Sequence, residues 1–148
     1  MLLNLIGFAA IASQPLFYLL ALTDSQKKLR APAYIELRKL LDKNLRVKLK
    51  MLYYATLLTA LLLTVLTFSA ETPLRFVTAC VALCALIADV VISLKRNVPI
   101  NELINKWDAD AYPRHWQLIR RKWFYFYQIR QAIGIIGFIS LLIGVVFG

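Results

Sequence analysis

One histidine, two cysteines and eight acidic residues among 148 leave little material for several kinds of chemistry. His115, the only histidine, lies in the polar stretch "DADAYPRHW". No histidine cluster can therefore assemble a metal centre around it. Cys80 and Cys84 stand one helical turn apart, and no C-x-x-C occurs, which argues against a thiol–disulfide redox bundle. Two small polarizable side chains in a helix is the simpler reading. The chain has no haem or iron ligand set, no glycine-rich phosphate loop and no nucleophile–histidine constellation. The expectation is no metal and no cofactor. The apolar N-terminal stretch lacks a basic leader and a small-x-small cleavage site, so it does not read as a signal peptide.

What the chain has in excess is apolar surface: 60% of its residues are hydrophobic. A soluble domain is nearer half, so the surplus needs a non-aqueous surrounding. Four apolar runs cover residues 2–22, 51–69, 74–94 and 123–147. Each approaches the ~20 residues that cross a hydrocarbon core of ~30 Å. This predicts an all-α fold: an integral membrane four-helix bundle, forming one domain over residues 1–148.

The formal charge of +10 is unevenly spread. Residues 23–50 carry nine Lys/Arg against three acids, and residues 95–122 carry seven against three. Both segments fall on one side of a four-span protein, and basic connections stay cytoplasmic. The prediction is a multi-pass protein of the cell (inner) membrane with both termini on the non-cytoplasmic side. The basic face then meets anionic lipid headgroups, which excludes nucleic acid as the main partner.

Both basic segments have helical patterning. Over 33–49, Ala33, Tyr34, Leu37, Leu40, Leu41 and Leu45 share one face, while Arg38, Lys39, Asp42, Lys43, Arg46 and Lys50 take the other. Over 99–107, Ile100, Leu103, Ile104 and Trp107 recur at i, i+3, i+4, i+7. Pro32 and Pro99 suit first helical turns. The pattern predicts two amphipathic helices lying in the cytoplasmic interface. Aromatics at Phe17, Tyr18, Tyr53, Tyr54, Trp116 and "WFYFY" (123–127) fit a belt at the same boundary.

Two charges lie deep in the apolar runs. Arg130 is eight residues past Lys122, ~12 Å inward, and Asp89 is six before Lys95, ~9 Å inward. A lone charge at that depth is costly, so such residues face inward and pair. The expectation is an Asp89–Arg130 ion pair. Thr78, Ala82, Ala85, Asp89 and Ser93 form one stripe, and Trp123, Tyr127, Arg130, Gly134 and Gly137 another. Gln14 shares a face with Asn4, Gly7, Ile11 and Tyr18 at a similar depth, and Pro15 should kink that helix. Gln14, Asp89, Tyr127 and Arg130 are thus candidates for lining a polar pocket.

The stretch "NVPINELINKWDADAYPRHWQLIRRKWFYFYQIRQAIGIIGF" resembles the signature of a small four-span membrane family with a domain of unknown function, which includes the fungal anthrone oxygenases. That signature runs N-x-P-(I/L)-N, W-(D/N), P-x-x-W, L-R-x-R-W, then x-x-x-H-x-I-R-T. Asn97, Pro99, Asn101, Trp107, Asp108, Pro113, Trp116, Arg120, Trp123 and Arg130 fall on it. The resemblance adds Asn97, Asn101 and Trp107 to the candidate ligand-binding residues. It implies an anthrone oxygenase-like activity, the cofactor-free oxidation of a carbanion-prone aromatic substrate by dioxygen. Lys122, Tyr127 and Gln131 depart from it, and Tyr127 stands where a histidine, the natural proton acceptor, is usual.

Three readings follow. The first binds or oxidises a hydrophobic aromatic or quinone-like molecule in an intramembrane polar pocket. The second is a non-catalytic membrane subunit or interaction protein, and the third a small transporter, which would need a homo-oligomer, a dimer, at this length. An open cavity beside Arg130 favours the first; a closed polar layer favours the second.

Overall fold

The computed structural model describes residues 2–68 and 73–148. Ser69, expected to end the second apolar run, and part of the "ETPLR" turn lie outside the described residues. The elements in order are α1 (Leu2–Phe17), a π-helical turn (Tyr18–Leu22), α2 (Thr23–Lys28), α3 (Ala31–Thr67), α4 (Pro73–Ile92), a second π-helical turn (Ser93–Asn97), α5 (Val98–Asn105) and α6 (Trp116–Phe147). The fold is all-α, with no strand among the described residues.

Three helical stretches are long and apolar enough to cross a membrane: Ala31–Thr67, Pro73–Asn105 and Trp116–Phe147. The apolar part of α1, Leu2–Gln14, is shorter. It continues through position 15 to Phe17 and widens into the π turn one step later.

The structure corrects the picture of separate interfacial helices. Residues 33–49 are the first half of α3, a single helix of 37 residues. At about 1.5 Å per residue α3 is ~55 Å long, against a hydrocarbon core of ~30 Å. Likewise α5 is joined to α4 without a break, through the π turn. Each long helix therefore has an apolar half and a basic half, and the basic halves pack on one another.

The face that α3 buries also differs from the pattern. Tyr34, Ile35 and Arg38 are buried, while Leu40 is 57% exposed. Both faces of this segment mix long apolar stems with charges, so periodicity fixes their angular separation without saying which one meets a partner. Ile104 and Trp107 of the second basic segment are buried as patterned, against the bundle, with Leu103 on its rim.

Two cores result. Phe8, Ile11, Ala60, Leu63, Ala79, Ala82, Leu86 and Leu141 fill the apolar half. Tyr34, Ile35, Ile104, Trp107, Trp123 and Phe124 fill the basic half. Arg120 closes the α2–α3 corner by donating from Nη1 to the carbonyls of Gln26 and Leu29 at 3.3 and 3.1 Å. These carbonyls lie at and just past the end of α2, where a helix leaves acceptors under-used; that of Gln26 also accepts from the Leu29 N–H at 3.3 Å. The same guanidinium lies 4.5 Å from the Trp116 ring centre. Tyr34, wholly enclosed beside it, has its phenol pushed up to about 12 by burial and stays protonated.

Candidate functional site

The expected ion pair forms. Arg130 Nε donates to Asp89 Oδ1 at 2.5 Å. Tyr53 completes a triad: its hydroxyl donates to Asp89 Oδ2 at 2.5 Å and accepts from Arg130 Nη2 at 3.2 Å. Asp89 is 2% exposed, so its charge is balanced entirely by these neighbours. The triad ties α3, α4 and α6 together where the two cores meet. Tyr53 reads in the sequence as one more belt aromatic, and its part in the triad depends on which way α3 faces.

A second network lies towards the basic end, centred on Asn101. Its Oδ1 accepts from Arg38 Nη2 at 2.7 Å and from Trp123 Nε1 at 2.9 Å, and its Nδ2 donates to Asp42 Oδ1 at 3.2 Å. Asp42 Oδ2 accepts from Asn105 at 2.8 Å. The Arg38 guanidinium lies over the Trp123 ring, 3.8 Å from its centre. Asn97, four residues before Asn101, donates from Nδ2 to the Trp123 carbonyl at 3.1 Å. Tyr127 stacks on Trp123, with ring centres 4.8 Å apart, and meets Tyr18 at 4.6 Å. Its hydroxyl bonds the Gln131 side chain.

Between these networks lies a cavity of about 530 Å³. Small-molecule sites occupy roughly 300–1,000 Å³. All four helical stretches line it, through Gln14 and Tyr18, Arg38 to Tyr54 on α3, Val90 to Glu102, and Trp123, Tyr127 and Arg130. Both π turns border it, by Tyr18 on one side and Ser93, Leu94 and Asn97 on the other. A π turn widens the backbone spiral by one residue, and such turns recur at functional sites.

Of the residues read from the sequence as candidates, Gln14, Asn97, Asn101, Tyr127 and Arg130 share this cavity. Asp89 sits behind Arg130 and braces it. Trp107 does not reach the cavity: its ring is in the aromatic core, and its carbonyl accepts from Lys39 Nζ. Sequence reasoning missed Arg38 and Tyr53, one assigned to water and the other to the headgroup belt.

A shallower groove of about 500 Å³ runs between α5 and α6, with Lys95, Arg96, Arg121 and Lys122 around Pro99, Ile100, Tyr125 and Phe126. No cluster of three metal-ligating side chains occurs among the described residues. Comparison with protein-family models, curated proteins and solved structures finds no match to this chain.

Proposed function

We propose that the protein is an integral membrane four-helix bundle that binds a hydrophobic aromatic or quinone-like small molecule. The carrying observation is the 530 Å³ cavity beside Arg130, walled by Tyr18, Tyr53, Tyr54, Trp123 and Tyr127. Flat rings stack on such walls, and a few polar groups among them orient a carbonyl or hydroxyl. The apolar halves of the helices are its spans, in the cell membrane. Their basic halves project into the cytoplasm, with both termini on the other side. The groove of Lys95, Arg96, Arg121 and Lys122 has the charge and position to hold anionic lipid headgroups.

Oxidation of the bound ring, as the anthrone oxygenase resemblance implies, is the second reading. It needs a proton acceptor beside the ring. Asp89 is engaged by Arg130 and Tyr53, Asp42 by Asn101 and Asn105, and Glu102 by Arg46. Tyr127, at the position usual for histidine, is stacked and hydrogen-bonded. Binding is therefore the better supported of the two.

Titration of the purified protein in nanodiscs with menadione, a neutral naphthoquinone, tests the binding. Saturable quenching of tryptophan fluorescence is expected, and it should weaken in Tyr127→Ala. Quenching that rises linearly and equally in both proteins would sink the reading. For the orientation, a fluorescent protein fused after Gly148 should stay dark and an alkaline phosphatase should be active. The opposite pair of results reverses the topology.

A further inference from the structure

Arg38 is a buried cation without a counter-ion. Its residue is 5% exposed, its Nε has no partner, and no carboxylate lies within ion-pairing distance among the described residues. Arg130, by contrast, faces Asp89 directly. Glu36, two residues before Arg38, is exposed and on another side of the helix; Asp42 lies one turn on. That carboxylate is instead taken by Asn101, Asn105 and Arg46. What Arg38 has is one neutral oxygen, from Asn101, and the face of Trp123. Neither carries a full negative charge. A guanidinium removed from water this completely is normally paired, because desolvating the charge costs more than a neutral hydrogen bond and a ring face return.

Two further observations put the missing charge in the cavity. Arg38 lines it. Asn97, also in its wall and 2% exposed, has an Oδ1 with no donor. Two residues that each keep one unpartnered polar atom, Arg38 at Nε and Asn97 at Oδ1, therefore line the same space, and both contact Trp123. From Arg38 the cavity runs along α3 past Leu41, Leu45 and Leu49 to Tyr53, a span of 15 residues or ~22 Å of helix. Arg38 stands at one end and Tyr53 and Arg130 of the neutralised triad at the other; between them Leu41, Leu45 and Leu49 form an apolar strip, with the exposed Arg46, Lys50 and Glu102 and the half-buried Asp42 also in the lining.

We propose that the ligand is an acidic amphiphile whose ionised head, a carboxylate or a phosphate, pairs with Arg38 while its apolar body lies along Leu41, Leu45, Leu49 and Tyr53. The proposal rests on the ligand-binding reading of the cavity and adds the charge and the polarity of the ligand's orientation. Arginine suits this role because its fork of donors can hold both oxygens of such a head while its plane stays stacked on Trp123.

The test uses the full chain in nanodiscs of phosphatidylcholine, so that no anionic lipid competes. The probes are 2-naphthoate, its methyl ester, and inorganic phosphate alone, each followed by tryptophan quenching and by the shift of thermal unfolding. The acid should bind at least about tenfold tighter than the ester, and in Arg38→Gln that advantage should fall to about threefold or less. Lys43→Gln, an exposed change on the same helix, should keep the full advantage. Equal affinities of acid and ester for the wild type would overturn the proposal while leaving the cavity reading intact. If neither binds, both fall. An acid preference that survives in Arg38→Gln moves the head elsewhere and also overturns it. Stabilisation by inorganic phosphate equal to that by naphthoate would make this a free-anion site and reject the amphiphile. Should Arg38→Gln fail to fold, Arg38→Lys keeps the charge without the fork. A preference lowered in that variant supports the pairing, and one left whole opposes it.

Discussion

In the apolar half, α6 meets α4 and α1 through absent side chains. A methyl group added at Gly144 would overlap Thr78 Oγ1, and one at Gly137 would lie 2.9 Å from Phe8 and 3.0 Å from Ala85. A methyl at Gly7 would stand 2.6 Å from Thr56 Oγ1. In the basic half the same α6 presents Trp123, Phe124 and Tyr127, and its neighbours answer with Tyr34, Arg38 and Asn101. Lipid offers helices no hydrophobic reason to associate, so small residues and close backbones do the work there. Water does offer that reason, and large aromatic surfaces with hydrogen-bonded polar groups among them do it in the basic half. One bundle thus packs by two rules along the same helices. The Asp89–Arg130–Tyr53 triad marks where one gives way to the other.

The largest test of this comparison is to break the seam. Asp89→Asn or Arg130→Gln alone should each destabilise by ~3–5 kcal/mol, since either leaves a buried charge without its partner. The double variant should regain part of that loss. Thermal unfolding in detergent measures all three, and strictly additive losses would mean that the two residues do not stabilise each other.

This pair was legible because each residue is the sole deep charge of its run, so depth alone matches them. The cavity was legible only in part. Gln14 and Tyr127 lie at the depth that sequence spacing gives, whereas Arg38 sits in a segment whose two faces are both amphipathic. The continuity of α3 had a signal that went unused: no glycine or proline occurs between Pro32 and Pro73. A run of charges from Lys43 to Lys50 looks like a boundary, but charge stops no helix, and Leu, Lys, Arg and Met are good helix formers. The resemblance to the anthrone oxygenase pattern pointed at Asn97 and Asn101 without saying what they hold. The structure gives Asn101 a network of three partners and leaves Asn97 half-satisfied.

Asn101→Ala comes next in size and strikes the basic half alone. It takes the acceptor from Arg38 and Trp123 Nε1 together and the donor from Asp42, at ~1–3 kcal/mol for each buried group left without a partner. A total near ~3 kcal/mol is expected, because Asp42 keeps Asn105 and is partly wet. Hydrogen exchange should rise over α5 and the first turns of α6 while α4 stays protected. Uniform exchange along all helices would show that the halves unfold as one unit and that the comparison describes composition without independent stability.

In the apolar half the matching test is steric. Gly144→Ala should cost ~1–3 kcal/mol, the usual range for overpacking a filled contact. Gly134, also buried on α6, has nothing within 4 Å of an added methyl. Gly134→Ala should therefore be neutral or stabilise by up to ~1 kcal/mol through helix propensity. The difference in unfolding temperature between these two variants checks the claim. Equal effects would mean that α4 and α6 do not approach as closely as Gly144 and Thr78 require.

The smallest effect is expected at Glu102, which sits beside Asn101 and differs from it in exposure. Its carboxylate meets Arg46 Nη2 at 3.1 Å, with the two side chains 57% and 48% exposed. Both charges keep most of their water, so holding two long side chains in one geometry offsets most of the attraction. Glu102→Gln should then change stability by ~0.5 kcal/mol or less, and added salt should erase even that, since screening acts over ~8 Å at physiological ionic strength. Residue 101 is expected to matter several times more than residue 102, although only the second carries a charge. That ranking follows from burial: in the basic half stability comes from polar atoms shut away with Trp123, and the many surface charges serve solubility and the approach of anions. If Glu102→Gln proved as costly as Asn101→Ala, the basic half would be held by its charges, and the contrast with the apolar half would have to be redrawn on electrostatic terms.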